Sequence, residues 1–293
     1  GKRVIMESIT GSKNNEKKSL FNLGVREKTI LSILAFGFFF IAILIWGSFI
    51  KADNLYVDLP NKFQTPSLSH LFGTDWVGRD MLTRTIKGLS LSMKIGLLAT
   101  LTSTIIAIIL GIIGPTFGRR VHAVVTWFID LVLSVPHTLV VILISIAMGG
   151  GLKGIVVGVA ATHWTSLTRV IRVEVMQIME SDYTKISKNF GKSNWYIAKE
   201  HILPHVIPQI IVNAVLIFPH AILHEASVTF LGFGLPPHEP AIGVILSESM
   251  KYLTSGYWWL AFFPGLSLIL VSMMVDKIGK NIEQLINPKT AYK

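Results

Sequence analysis

The chain has 293 residues, of which 51% are hydrophobic and only 15% are charged, and its formal net charge is +10. A soluble domain carries about 25% charged residues, so this composition indicates that lipid is the main solvent of the protein. The basic residues lie between apolar runs, and orientation in a membrane explains them more simply than nucleic-acid binding does. The absence of cysteine excludes disulfides, iron–sulfur clusters and thiolate metal sites.

Six apolar segments are predicted as transmembrane helices, each of which needs about 20 residues to cross a bilayer. They cover residues 29–50, 92–113, 122–148, 154–167, 206–231 and 257–275. The fourth segment is the shortest, because Arg169 and Arg172 follow it closely. Helices are expected even in the second segment, which is rich in β-branched residues, since each amide in lipid must be satisfied within its own segment. The sequence therefore predicts an all-α integral membrane protein with six transmembrane helices.

The distribution of lysine and arginine predicts the orientation of these helices. Segments on the side of the N-terminus hold nineteen of these residues outside the spans, and segments on the other side hold seven. By the positive-inside rule, both termini are expected in the cytoplasm. Arg79, Arg84 and Lys87 would then lie outside, and we expect an amphipathic helix along the membrane surface over 80–89 to accommodate them.

The predicted organisation has four parts. They are an N-terminal cytoplasmic tail (1–28), a first transmembrane helix with an extracytoplasmic segment (29–91), a core transmembrane domain (92–280) and a C-terminal cytoplasmic tail (281–293).

A basic, water-compatible loop within the core domain, residues 182–203, predicts two short helices. Gly191 is suited to end a helix that begins near Asp182, because glycine adopts the left-handed conformation cheaply. Ser193 can cap a second helix. Pro204 and Pro208 are expected to end that helix and to begin the fifth span.

The first of these helices presents Tyr183, Ile186 and Phe190 on its surface, a pattern typical of a helix that fits a groove in another protein. The alternative is a loop that only lies on the lipid headgroups.

The loop resembles the EAA motif of binding-protein-dependent ABC transporter permeases. Lys185-Ile186-Ser187 stands where the family has Glu-Ala-Ala, and Gly191 and Leu203-Pro204 follow at the family's spacing. Further stretches resemble the dipeptide, oligopeptide and nickel permeases, and together they cover roughly residues 70–288. These stretches are 70–80, Arg84 with 88–92, 130–136, Trp164 with Arg169 and Arg172, 225–234 and 263–266.

This resemblance implies a type I ABC importer permease fold in the bacterial inner membrane. The chain would be the second, C-type permease of a heterodimeric pair, with two cytoplasmic ATPase subunits and an extracytoplasmic solute-binding protein as partners. The loop would be the coupling helix that contacts the ATPase. The implied coupling residues are Asp182, Tyr183, Lys185, Ile186, Ser187, Phe190, Gly191, Leu203 and Pro204.

No catalytic residue and no bound cofactor are expected in this chain. Gly191-Lys192-Ser193 matches the end of a phosphate-binding loop, but Ile186 stands where that motif needs glycine. ATP and Mg²⁺ are therefore expected on the partner subunits.

Polar residues inside the predicted spans are the candidates for the translocation pathway, because an ionised one costs about 2.5–3.5 kcal/mol at mid-bilayer. They are His137, Asn213, His220, His224 and Glu225. Glu225 belongs to the family pattern, which favours a structural role for it.

The histidines of the fifth span bear on the cargo. His220 and His224 are four residues apart and share a helix face, a spacing that can chelate a metal. The alternative is that they bond neighbouring helices or line a wet pathway, as His137 and His163 also could. The cargo is expected to be nickel, a metal chelate or a small peptide.

Three further alternatives remain open from the sequence. An ion-gradient-driven transporter would use His220, His224 and Glu225 as a proton relay, and a membrane metalloenzyme would need a third metal ligand. Outside the spans, Asp75, Arg79 and Asp80 could contact a binding protein or could hold a glycine-rich turn through Asp–Arg pairing.

Overall fold

The computed structural model describes residues 25–51 and 57–286, and within these ranges the chain is helical with no β-strand. The α-helices are α1 (Val25–Phe49), α2 (Met81–Thr116), α3 (Arg119–Leu133), α4 (His137–Ala147), α5 (Gly151–Met179), α6 (Asp182–Asn189), α7 (Asn194–Ile197), α8 (Leu203–Phe230), α9 (Ile242–Leu253) and α10 (Trp259–Ile286). A 3-10 turn (Leu59–Asn61) and a π turn (Ala198–Ile202) complete the elements. The all-α prediction is confirmed. Most of the predicted N-terminal tail and residues 287–293 of the C-terminal tail lie outside the described residues.

Four helical segments of the described chain are long and apolar enough to cross a membrane, namely α1, α2, α7 together with α8, and α10. The bent pair of α3 and α4 makes a fifth if it counts as one span. Helix α5 has 29 residues, a length that also suffices for a crossing. Its polar and charged side chains make it less apolar than the helices named above as membrane spans. Four or five spans are consistent with the six predicted ones without confirming that number.

The third predicted span, 122–148, is broken in the structure and is not one continuous helix. Helices α3 and α4 meet at an angle of 92°. Pro136 lies at the break, directly before α4. Proline favours a break because it donates no amide hydrogen and disfavours the helical conformation of the residue before it. Across the break, α3 stays attached to α5: Asp130 pairs with Arg169 at 3.3 Å, and Arg172 donates to Thr126 at 2.7 Å.

Helix α4 packs very closely on α5, and two glycines of α5 make this possible. A Cβ on Gly158 would lie 2.9 Å from the carbonyl oxygen of Val141, and one on Gly154 would lie 2.7 Å from that of Ser145. Small residues let helix backbones approach in this way inside membranes. The contact fixes the start of α4, and therefore His137, against the middle of α5.

The helices give the molecule two ends. The distal end holds residues 57–80, the 231–241 loop and α9, and the loop end holds α6 and α7. Helix α1 enters from the loop end and α10 returns to it, and Asn281 donates to Ser32 at 3.2 Å. Both ends of the described chain therefore lie at the loop end of the bundle, the end that also holds α6.

The distal end is organised around one buried carboxylate. Asp75 is fully buried and accepts hydrogen bonds from the backbone amides of Val77 and Arg79, both at 2.9 Å. Its side chain also pairs with Arg79 at 2.7 Å and with Arg84 at 3.1 Å, and Arg84 reaches on to Glu248 of α9. The structure thus favours the Asp–Arg-paired turn among the two sequence alternatives.

The prediction of a surface helix over 80–89 is wrong. These residues form the first turns of α2, where Asp80 caps the helix by accepting from the Thr83 amide at 2.8 Å. Arg84 is only 3% exposed. Its charge is accommodated by Asp75 and Glu248 instead of by the membrane surface.

Replacing Asp75 with asparagine should lower the free energy of unfolding by about 3 kcal/mol, because it leaves Arg84 buried with one fewer anionic partner. Denaturant unfolding in detergent, followed by tryptophan fluorescence, measures this. Asp276→Asn is the matched control, since Asp276 pairs with Lys280 on the exposed surface of α10 and its loss should cost less than about 1 kcal/mol. Equal effects of the two substitutions would contradict the assignment.

Candidate functional site

Helix α6 is a separate, well-terminated unit at the loop end. It begins at Asp182, whose carboxylate suits the first turn. At its C-terminus, Gly191 has a φ of +75°, and the amides of Gly191 and Lys192 donate to the carbonyls of Lys188 and Ser187 at 2.9 and 3.1 Å. This pair of bonds is a Schellman motif, which needs a residue tolerant of positive φ. The positions predicted for the helix and its terminating glycine agree with the structure.

Helix α7 follows at once and is capped as the sequence indicates. The Ser193 hydroxyl accepts from the Tyr196 amide at 3.2 Å. The helix then continues through the π turn into α8 without a break. The prediction that Pro204 and Pro208 end it is wrong. Pro204 lies in the first turn of α8 directly after the π turn, and Pro208 lies inside α8, so the helix continues past both prolines.

His201 holds α6 against α7. Its Nε2 lies 2.8 Å from the Ser187 hydroxyl, and its ring packs on Tyr183 and Tyr196 with centroid distances of 5.6 and 5.7 Å. On the same inner side of α6, Thr184 is fully buried. The sequence reasoning did not identify His201, because a lone histidine fourteen residues after Ser187 carries no local signal.

The outer side of these two helices exposes large apolar side chains. Phe190 is 80% exposed and Ile186 53%, and we call these two residues of α6 and its C-terminal cap the docking face. Trp195 of α7 is 68% exposed, but it lines an apolar groove with Ile109 and Ile113 of α2. Basic groups lie beside the docking face: Lys185 pairs with Glu180 at 3.2 Å, and Lys192 lies 4.7 Å from the Tyr196 ring centre. An apolar patch rimmed by charge on an otherwise polar loop is typical of a protein interface.

Two predicted coupling residues are not part of this face. Leu203 packs against the interior of the bundle, where it lines an apolar groove with Ile109 and Ile113 of α2. Pro204 is exposed one residue further along α8. The docking face therefore comes from α6, and the Leu-Pro pair lies where the loop joins the bundle.

Inside the bundle, the structure brings together three histidines from three helices. His137 begins α4, His163 lies in the middle of α5 and His224 lies in the last two turns of α8. Their ring centroids are 4.3 to 5.3 Å apart, and one nitrogen of each lies within 4.8 Å of the others. We call them the histidine cluster.

The other predicted pathway residues are arranged differently. His220 is exposed one turn before His224 and is not a member of the cluster. Asn213 donates to the Gln209 carbonyl of its own helix at 2.8 Å. Glu225 is fully buried; its Oε1 accepts from the Thr229 hydroxyl at 3.0 Å, and its Oε2 has no hydrogen-bond partner among the described residues.

Comparisons with known proteins identify the family. Residues 103–288 match the model of the binding-protein-dependent transport system inner membrane component. The chain belongs to this family. The dipeptide transport system permease protein DppC of Bacillus subtilis is 34% identical over 224 residues, which are 76% of this chain and 70% of the relative. The oligopeptide transport system permease protein OppC of the same organism is 30% identical over 241 residues, 82% of this chain and 79% of the relative.

A solved structure agrees with the fold. The MetNI methionine ABC transporter in an inward-facing conformation contains a chain that matches with a TM-score of 0.58 at 14% identity, over 71% of this chain and 98% of that one. At this identity the match concerns the fold alone. Together with the family match, it confirms the type I importer permease fold. The chain is thus a multi-pass inner-membrane permease subunit of an ABC importer.

Ser193→Ala should destabilise the first turn of α7 by about 1 kcal/mol, because the serine hydroxyl caps this helix by accepting from the Tyr196 amide. Hydrogen exchange measured by mass spectrometry should become about fivefold faster in a peptide covering 194–197. Ser181→Ala is the matched control, since the Ser181 side chain does not cap α6 and its hydroxyl instead donates to the Ile178 carbonyl. Unchanged exchange in 194–197 after Ser193→Ala would refute the cap.

Proposed function

We propose that the chain forms half of the translocation pathway of an importer for small peptides and that its docking face binds an ATPase subunit. The observation that carries this proposal is the exposure of Ile186 and Phe190 on α6, a helix that the Schellman motif and His201 hold in place. A preformed face binds at a smaller entropic penalty than a mobile loop. Side chains of this size and kind typically anchor interfaces.

The loop end is the cytoplasmic end in this proposal. Both ends of the described chain lie there with α6, and the surplus of lysine and arginine falls in the segments on this side. The positive-inside rule then assigns the distal end to the outside, where we place the contact with a solute-binding protein. ATP and Mg²⁺ would act on the ATPase subunits, which would drive the exchange between inward and outward access.

A second permease subunit is proposed to cover the bent pair of α3 and α4. Its outer surface exposes apolar residues on both sides of the break, including Trp127, Leu131, Leu139 and Leu143. Lipid could cover such a surface as well. A heterodimeric partner is favoured because two members of the histidine cluster, His137 of α4 and His224, are partly exposed, and a pathway beside them needs a second wall.

Small peptides are the cargo that we propose, because the relatives compared above are named for dipeptide and oligopeptide transport. Nickel or a metal chelate, the other cargoes predicted from sequence, has no counterpart among those relatives. Uptake of a labelled dipeptide by proteoliposomes that contain the complete transporter is the direct assay of the cargo.

Phe190→Asp and Ile186→Asp should each weaken the binding of the ATPase subunits on the order of 30-fold, because each puts a charge into an apolar contact worth about 2 kcal/mol. Co-purification of the subunits from detergent-solubilised membranes measures the loss, together with dipeptide-stimulated ATP hydrolysis.

Leu68→Asp is the control for these variants. Leu68 is 99% exposed at the distal end, so the same change of an exposed apolar side chain to aspartate should leave ATPase binding intact. Full co-purification of the Phe190 and Ile186 variants would contradict the docking face, and equal loss in the Leu68 variant would point to a general defect in assembly.

A further inference from the structure

The histidine cluster converges although its members are far apart in sequence. His137, His163 and His224 belong to three helices, and nothing local to any of them positions the other two. The break at Pro136 starts α4 beside α5, and the close approach at Gly158 holds it there. The three rings are therefore placed by the helix packing of the bundle.

Two ring nitrogens of the histidine cluster are buried without a hydrogen-bond partner from the described residues. Among the described residues, His137 Nδ1 and His163 Nε2 are buried and have no hydrogen-bond partner. A buried polar atom in this condition costs about 1–3 kcal/mol. Leucine or phenylalanine side chains would pack better at these positions than three imidazoles that face one another. Their ring nitrogens are, however, the commonest metal ligands in proteins.

We propose that His137, His163 and His224 bind one late first-row divalent metal ion of the Zn²⁺ or Ni²⁺ class. Imidazole nitrogens suit these ions, and a site without oxygen ligands does not suit Mg²⁺ or Ca²⁺. All three ligands come from this chain, and metal binding to them can be measured without the peptide cargo and without the ATPase subunits.

The distances fit three ligands of a tetrahedral ion. Metal–nitrogen bonds of about 2.0–2.1 Å place ligand nitrogens about 3.3 Å apart. The cluster nitrogens lie within 4.8 Å of one another, so no pair has to close by more than about 1.5 Å, which rotation of the side chains can supply. His163 is buried and the other two histidines are partly exposed, which leaves the fourth coordination position open to water. A filled site of three protein ligands with one open position is the arrangement of an accessible zinc centre.

His220 supplies a sharp control. It lies one turn from His224 on the same helix and is exposed, and the cluster does not include it. The pair of His220 and His224, which the sequence suggests as a metal-binding spacing, predicts a different result from the cluster. Under the pair hypothesis His220 is essential, whereas under the cluster hypothesis His137 and His163 are.

The test uses the full chain carrying a tag without histidine, purified in detergent and treated with a chelator. Co²⁺ is the titrant, because its visible absorption reports a tetrahedral nitrogen environment, and X-ray absorption of the Zn²⁺-loaded protein counts the imidazole ligands. We expect one ion per chain with three imidazoles. His137→Gln, His163→Gln and His224→Gln should each weaken Co²⁺ binding at least 100-fold, about the largest loss that removal of an outer-sphere partner causes. His220→Gln should change it less than threefold.

Gel filtration and thermal unfolding without metal show whether each variant is folded. If His163→Gln does not fold, His137→Gln and His224→Gln still test the proposal, because these two positions are partly exposed. Zn²⁺ should raise the unfolding temperature of the wild-type chain and leave that of the folded variants unchanged. Binding that survives the His137 and His224 substitutions, fails in His220→Gln, or requires millimolar metal in the wild-type chain would overturn the proposal. None of these readouts depends on transport or on ATPase co-purification, so the two proposals fail separately.

Discussion

The structure depends on the rule that a backbone amide surrounded by lipid must find its partner within its own helix. Each place where this chain departs from a straight helix is therefore a place where something else satisfies or removes the exposed groups. At Pro136 the break leaves no amide hydrogen of this residue unsatisfied, because proline has none to donate. Between α7 and α8 the departure is a π turn, which keeps the helix continuous up to Pro204. Both departures border a candidate site, the histidine cluster in one case and the helix pair in the other.

Charge is handled by a complementary rule, which shapes the distal end. A buried arginine is tolerated only with anionic partners and complete hydrogen bonding. Arg84 has Asp75 and Glu248, and Asp75 in turn accepts from two backbone amides. Within the bundle, the polar side chains of the histidine cluster are imidazoles that face one another, not oppositely charged pairs. The buried charges of the distal end are therefore paired within the protein, whereas two buried nitrogen atoms of the cluster have no hydrogen-bond partner among the described residues.

Local signals in the sequence predicted the local structure well. The start of α6 at Asp182, its termination at Gly191 and the cap at Ser193 each depend on residues within one helical turn, and the structure contains all three. Long-range features could not be predicted in this way. Arg84 was assigned to the membrane surface because its partner Glu248 lies 164 residues further along the chain.

The histidines show the same limit inside the bundle. Helical spacing drew attention to His220 and His224, because four residues separate them on one face. The contacts of His224 are instead with His137 and His163, which come together only once α4 has folded back on α5. Proline at 136 was visible in the sequence, but its effect on an apolar segment depends on tertiary packing, since many membrane helices contain proline without breaking.

The two candidate sites are joined by the helices that hold them. Helix α5, which carries His163, ends at Met179 just before α6, and α7 continues through the π turn into α8, which carries His224. Helices α6 and α7 thus adjoin two of the three helices of the cluster. The third member, His137, lies on α4, which is separated from α3 by the 92° bend. In the proposed function, an ATPase that displaces α6 would move α5 through the short turn at Glu180 and Ser181, and would move α8 through α7 and the π turn. Helix α4 would follow only through its packing on α5, so the distances among the three imidazoles would change with the state of the docking face.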